Sequence, residues 1–169
     1  MRRLALGLVV LVMVAPAAVL AAAKPPAGAL SVESGKGVIV LRANGGLLGR
    51  VARGSVELVD VSQNDSWRPT INGATRARKV TAKGSNLTFR ILGGEYRLVV
   101  RGEGISVSAR GTGVVTLLGI PSPLTGDTGI FSTDLEADCQ DSPEQCDPIP
   151  MTLTRVPFGK SDTPSTPHS

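Results

Sequence analysis

Between Leu87 and Leu118 apolar and polar residues alternate with the period of two that a half-buried strand imposes. Leu87, Phe89 and Ile91 are separated by Thr88 and Arg90, and the run stops at Gly93-Gly94, a pair suited to the positive φ of a two-residue hairpin turn. A hairpin there sets Ile91 opposite Tyr96, Phe89 opposite Leu98 and Leu87 opposite Val100 on one apolar face. It also sets Arg90 directly across from Arg97 on the other face. The spacing predicts a second turn at Arg101-Gly102-Glu103-Gly104, followed by Ile105, Val107 and Ala109 on the apolar side. A third turn falls at Arg110-Gly111-Thr112-Gly113, where a glycine bulge would bring Val115 and Leu117 inward.

The same plan occurs earlier. Val38 to Arg42, a glycine turn at Asn44-Gly45-Gly46, Leu47 to Ala52, an Arg53-Gly54 turn and Val56 to Val59 follow one another. Val40, Arg42, Ala52, Arg53, Gly54 and Leu58 match Val99, Arg101, Ala109, Arg110, Gly111 and Leu117 at offsets of 57 to 59, as an internal duplication or two similar meanders would give. No stretch of about 10 residues carries a helical stripe. The expected fold class is all-β, an antiparallel chain whose two glycine-turned meanders form a sandwich or small barrel. A parallel β-solenoid also suits glycine-punctuated strands, but a tight Gly-Gly turn requires antiparallel neighbours.

A polar loop, Val61 to Asn72, joins the two meanders, and shorter strands are expected near Ile130 to Thr133 and Met151 to Val156. Pro148 and Pro150 place the start of the last strand at an edge. The single domain then covers residues 29–158, after a lead-in at 24–28 and before a Ser/Thr/Pro-rich tail at 159–169.

The N-terminal 23 residues read differently. Arg2 and Arg3 precede an apolar run from Leu4 to Leu20, broken by Pro16, and Ala21-Ala22-Ala23 supplies the small residues of a cleavage site before Lys24. These are the parts of a secretory signal peptide, in order. An uncleaved anchor is the alternative, since about 20 apolar residues can just cross a bilayer. Export predicts a secreted or cell-envelope protein, and with residues 1–23 removed the formal charge falls from +4 to about +2. That balance is too weak to predict a nucleic-acid partner. Its distribution is uneven: Lys24 to Gly126 holds 14 Lys and Arg against 6 Asp and Glu, and the remainder holds 2 against 8.

In an oxidising compartment Cys139 and Cys146, with six residues between them, are expected to form a disulfide that pins a local loop. A redox pair would normally space its thiols by two residues at a helix start. Histidine-based catalysis has little to work with, because the sole histidine is His168 in the tail. Two cysteines and one histidine do not make a zinc site. Glu33, Glu57, Asp60, Glu95 and Glu103 could serve a carboxylate-based hydrolase, and Asp134, Glu136, Asp138, Asp141, Glu144 and Asp147 could offer oxygens to calcium, although the EF-hand glycine and spacing are missing. No phosphate loop follows from Gly102-Glu103-Gly104, which lacks a helix behind it. No cofactor or resident metal is therefore expected.

With Phe89 and Tyr96 in the core, Trp67 remains as a candidate exposed ring. The outward basic residues Arg90, Arg97, Arg101 and Arg110 are the candidate binding group. Like charges placed across a ladder repel by a fraction of a kcal/mol up to about 1. Such a cluster is tolerated where the long side chains splay into water; otherwise it calls for an anion, either the chain's own acidic segment or an acidic polymer of the envelope. The string from Phe89 to Ile105, FRILGGEYRLVVRGEGI, continued by Ser108-Ala109-Arg110-Gly111-Thr112-Gly113, resembles a pattern shared by small secreted β-proteins of high-GC actinomycete-type bacteria. The resemblance implies export and a β-fold and carries no function; the cysteine loop is not part of it. The expectation is a non-enzymatic binding or structural module of the bacterial cell envelope. A carboxylate hydrolase of envelope polymers and a protein-interaction or inhibitor domain presenting the Cys139–Cys146 loop are the alternatives. The expected partner is an anionic envelope polymer or another envelope protein, with membrane contact only through an uncleaved signal segment.

Overall fold

A computed structural model of the chain describes residues 28–62, 67–74 and 77–159. The expected signal peptide, most of the lead-in and residues 160–169 of the tail lie outside the described residues, as does the tip of the polar loop at 63–66. Two long extended segments dominate: β1, Gly28–Asp60, and β4, Glu95–Gly119. With β2 (Thr70–Ile71), β3 (Lys79–Ile91), β5 (Ile130–Ser132), β6 (Asp147–Pro148) and β7 (Thr154–Phe158) they make one seven-stranded antiparallel sheet. The all-β antiparallel class is as expected. The sheet does not close into a barrel, and the two separate meanders are not formed.

The pairing explains why. β3 and β4 form one nearly continuous arm antiparallel to β1, from Val59 beside Lys79 through Leu47 beside Ile91, then from Asn44 beside Glu95 to Gly28 beside Gly111. β4 pairs with β1 a second time along its other edge, from Asp60 beside Tyr96 to Gly37 beside Gly119. Leu41 consequently has Leu98 on one side and Val115 on the other, and Gly111 lies between Gly28 and Gly45. The two arms of one long hairpin are wound together, with 17 positions between successive turns. Glu33 and Arg50, 17 positions apart, meet across adjacent turns at 3.3 Å.

A straight strand of 33 residues would extend about 110 Å, against a radius of gyration of about 14 Å for a domain of this size. The arms must bend, and they do so at glycines. Gly84, Gly54, Gly102, Gly37 and Gly119 form one row across the sheet. Gly45, Gly111 and Gly28 form a second, flanked by Gly94, whose carbonyl accepts the Gly45 N–H at 3.0 Å, and by Gly159. At Gly28, Gly37, Gly45, Gly54, Gly102 and Gly111 the neighbouring backbone comes too close for a side chain. Gly102 has φ +146°, and a β-carbon placed on it would lie 2.1 Å from the Arg53 carbonyl oxygen.

Folding along the two rows makes two panels. Panel A contains residues 29–36, 46–53, 85–91 and 103–110, with β2, β5 and β6 at its margins; panel B contains 38–44, 55–60, 79–83, 95–101 and 112–118, with β7. A single apolar cluster unites the inner sides of both. Leu30, Leu47 and Ile105 come from panel A, and Leu41, Leu58 and Leu98 from panel B, each removing apolar surface worth about 1.5–3 kcal/mol. At the Gly54 and Gly102 corners the inward positions step from Val51 to Val56 and from Val100 to Ile105, so alternation slips by one residue, as at a bulge.

The hairpin expected at Gly93-Gly94 is therefore corrected. The chain crosses a crease there and continues along β1, because β1 already occupies the space beside β3. Segments 44–46, 53–54, 101–104 and 110–113, expected as turns, lie inside continuous strands. Gly28, expected in the lead-in, begins β1. The inward set nevertheless agrees with expectation: Leu87, Phe89, Ile91, Tyr96, Leu98, Val100, Ile105, Val107, Ala109, Val115 and Leu117 are all buried.

Tyr96, the sole tyrosine, is buried and pairs with Ala43 and Asp60. Burial raises its phenol well above the ordinary 10.0. An acid whose folded pKa is raised holds its proton more tightly in the folded chain, so this contribution is complete below pH 10.0 and is lost as pH rises above it. The tyrosinate absorbance band is expected to appear only together with unfolding in alkali. Ionisation while the near-ultraviolet circular dichroism stays native would contradict this burial.

Candidate functional site: the outer face of panel B

Residues alternating outward on panel B align into three ladders. The first is Lys83, Ser55, Arg101, Val38 and Leu118; the second is Thr81, Glu57, Val99, Val40, Thr116 and Arg155; the third is Lys79, Val59, Arg97, Arg42, Val114 and Pro157. Ladders are spaced by two residues, about 7 Å, and strands by about 4.8 Å. Six cations thus stand on a floor of valine and threonine with one carboxylate among them, Glu57.

Glu57 accepts from Lys79 at 2.9 Å and from Arg97 at 3.3 Å. The Lys79 hydrogen bond, aided by the charges of Lys79, Arg97 and Arg101 and opposed by partial burial, holds its carboxyl below the usual 4.5. Arg97 also lies directly across from Arg42, a like-charge pairing. Its buried Nε meets no acceptor among the described residues. Among those residues no carboxylate comes within ion-pair distance of Arg42, Lys83, Arg101 or Arg155. An open hollow of about 350 Å³ lies among Ser55, Glu57, Thr81, Lys83, Val99 and Arg101. The chemistry available is the binding of an extended anion by hydrogen-bonding cations.

The expected four-arginine group is divided. Arg97 and Arg101 belong to this face; Arg90 stands on panel A beside Leu48 and Thr70, and Arg110 on panel A donates Nη1 to the Leu135 carbonyl at 2.8 Å. Arg90 therefore does not oppose Arg97. The contact of Arg110 with the acidic segment is to backbone, not carboxylate. Arg42, Lys79, Lys83, Glu57 and Arg155 were missed as members of the site, although the outward phase of Arg42 follows from buried Leu41 and Ala43 on either side. Trp67 is 44% exposed and lies over the Gly93 corner, its Nε1 being 2.8 Å from where a Gly93 β-carbon would sit. It covers the crossing between β3 and β4 while presenting part of its ring.

The expected disulfide joins Cys139 to Cys146, with Cα atoms 5.8 Å apart. Cys139 is buried and its N–H donates to Ser31 Oγ at 3.1 Å, which ties the loop to β1. A groove of about 640 Å³ runs beside this loop, with Pro143, Ile149 and Met151 as apolar wall and Glu33 and Asp127 as carboxylates. Glu33 is held by Arg50 at 3.3 Å, Asp60 by Arg68 at 3.1 Å and Glu103 by Arg53 at 3.5 Å. With Glu57, four of the five carboxylates considered for hydrolysis are committed to cations. In the acidic segment Asp134 and Asp138 accept the N–H groups of Glu136 and Gln140 at 3.1 and 3.0 Å, and among the described residues no three candidate ligands converge on a metal position. No helix among them is long and apolar enough to cross a membrane. Comparison with protein-family models, curated proteins and solved structures yields no match to this chain, so the reading of the face rests on its own geometry.

Proposed function

We propose that the protein is an exported, non-enzymatic binding module of the cell envelope that docks an extended anionic component on the outer face of panel B. The observation that carries this reading is the Arg42–Arg97 pairing within a group of six cations served by one carboxylate. Arginines set opposite each other on neighbouring strands repel, and a multivalent anion turns that repulsion into attraction at several points at once. The disulfide and the apolar leader sequence support export, because disulfides persist in oxidising compartments.

The test uses protein recovered from culture medium, applied to immobilised polyglutamate and eluted with salt. The native chain is expected to bind, and Arg97→Glu with Arg101→Glu to flow through. Glu57→Gln removes the internal counter-charge and is expected to elute at higher salt than the native chain. Equal elution of the charge-reversed and native chains would overturn the reading of the face. Recovery of only cell-bound, full-length chain would overturn export.

A further inference from the structure

At the corner where panel B meets the Gly37–Gly119 crease, the basic face runs into exposed apolar side chains. Ile120, Leu124, Met151 and Leu153 are 50%, 94%, 67% and 73% exposed. Leu153 leads into β7 two residues before Arg155, where Thr154 pairs with Leu117 of β4. Ile120 follows the outward Leu118, and its N–H donates to the Lys36 carbonyl at 2.8 Å. Gly119 donates to Pro150 at 2.7 Å, which brings the segment of Met151 alongside. Leu124 sits at the tip of a closed turn, in which Ser122 donates to Asp127 and Gly126 to Ser122, both at 2.8 Å. These side chains are therefore presented by hydrogen-bonded backbone, not by loose ends.

Exposed apolar side chains gathered in one place mark a surface that meets something apolar. Resting on the anion-docking reading above, we infer that the anionic component is a lipid surface: Lys79, Lys83, Arg97, Arg101 and Arg155 lie over acidic headgroups while Leu124, Met151 and Leu153 enter the interfacial layer. A soluble polyanion would satisfy the cations and leave the apolar corner in water. A bilayer carrying acidic lipids satisfies both, since basic residues gain near its negative potential and apolar side chains gain at the headgroup boundary.

The test is co-sedimentation with vesicles of phosphatidylglycerol and phosphatidylcholine in equal parts, and with phosphatidylcholine alone, using chain recovered from culture medium. Binding to the mixed vesicles only is expected. Arg97→Gln with Arg101→Gln, and separately Leu124→Ser with Leu153→Ser, are each expected to lower the partition coefficient roughly ten-fold or more. Arg101, Leu124 and Leu153 are exposed and Arg97 is half-buried, and an unchanged melting temperature confirms that each variant is folded. Vesicle binding that ignores the leucine substitutions, or retention on polyglutamate without vesicle binding, would overturn the lipid inference and leave the anion-docking face standing. Failure to bind either probe would overturn both.

Discussion

A Gly45→Ala variant is expected to lose about 4 kcal/mol or more of stability, a large share of what a domain of this size possesses, whereas Gly46→Ala is expected to melt at or slightly above the native temperature. Gly45 has φ +141°, a region that costs an L-residue about 1–3 kcal/mol. A β-carbon there would also fall 2.1 Å from the Arg110 carbonyl oxygen. Neither element can yield cheaply, because Arg110 and Gly111 belong to the strand held between two turns of β1. At Gly46 the nearest atom to a β-carbon is the Leu92 oxygen at 3.7 Å, an ordinary contact, and φ is not in the left-handed region. There alanine mainly reduces the freedom of the unfolded chain, a gain of about 0.4–1 kcal/mol. Thermal melts of the two variants side by side check this. Equal losses would mean that the glycine row is not a crease, while a stable Gly45→Ala chain would mean that the windings are looser than described.

The second large effect is expected at Asp60. Its side chain is fully buried at the end of β1, where Oδ1 accepts the Ser62 N–H at 2.9 Å and Oδ2 accepts Arg68 Nη1 at 3.1 Å. Asp60→Ala strips a buried acceptor from one backbone donor and from one guanidinium, for an expected cost of about 2–4 kcal/mol. Asp60→Asn keeps an oxygen for Ser62 but loses the charge toward Arg68, so it should cost less than alanine. Urea midpoints give the order native, then Asn, then Ala. Coincident midpoints for all three would show that the Asp60–Arg68 pair only balances its own desolvation.

The inner side of the fold was legible because period-two alternation reports which side chains point inward without reference to the partner strand. Phe89, Leu98 and Ile105 were placed correctly by their neighbours alone. Partners were not legible. Positive φ at Gly102 or Gly111 serves a hairpin turn and a sharply coiled continuous strand equally well, and local sequence does not separate the two. The separating signal is long-range: Gly28, Gly37, Gly45 and Gly54 are spaced by 9, 8 and 9 residues, and Gly94, Gly102, Gly111 and Gly119 by 8, 9 and 8. Two arms with matching corner spacing can be wound against each other. The match at offsets of 57 to 59 includes the corner pair Gly54 and Gly111, so the common corner spacing of the two arms contributes to it. The site suffered from the same ambiguity. Arg97 and Arg101 are correctly outward, but the assumed hairpin gave Arg97 the wrong neighbour, hid Arg42, and joined Arg90 and Arg110 to a face they do not share.

The winding also sets the order in which the chain can fold. Nearly every inward residue of β1 finds its partners on β3 or β4, so the first arm has nothing to pack against until the second has been made. Val59 beside Lys79 is the pairing closest to the 61–78 connection, and separations between partners grow from there to Gly28 beside Gly111. Pairings so distant in sequence are slow to form. A chain built this way stays extended for longer than one assembled from local hairpins, because its first arm waits for its second.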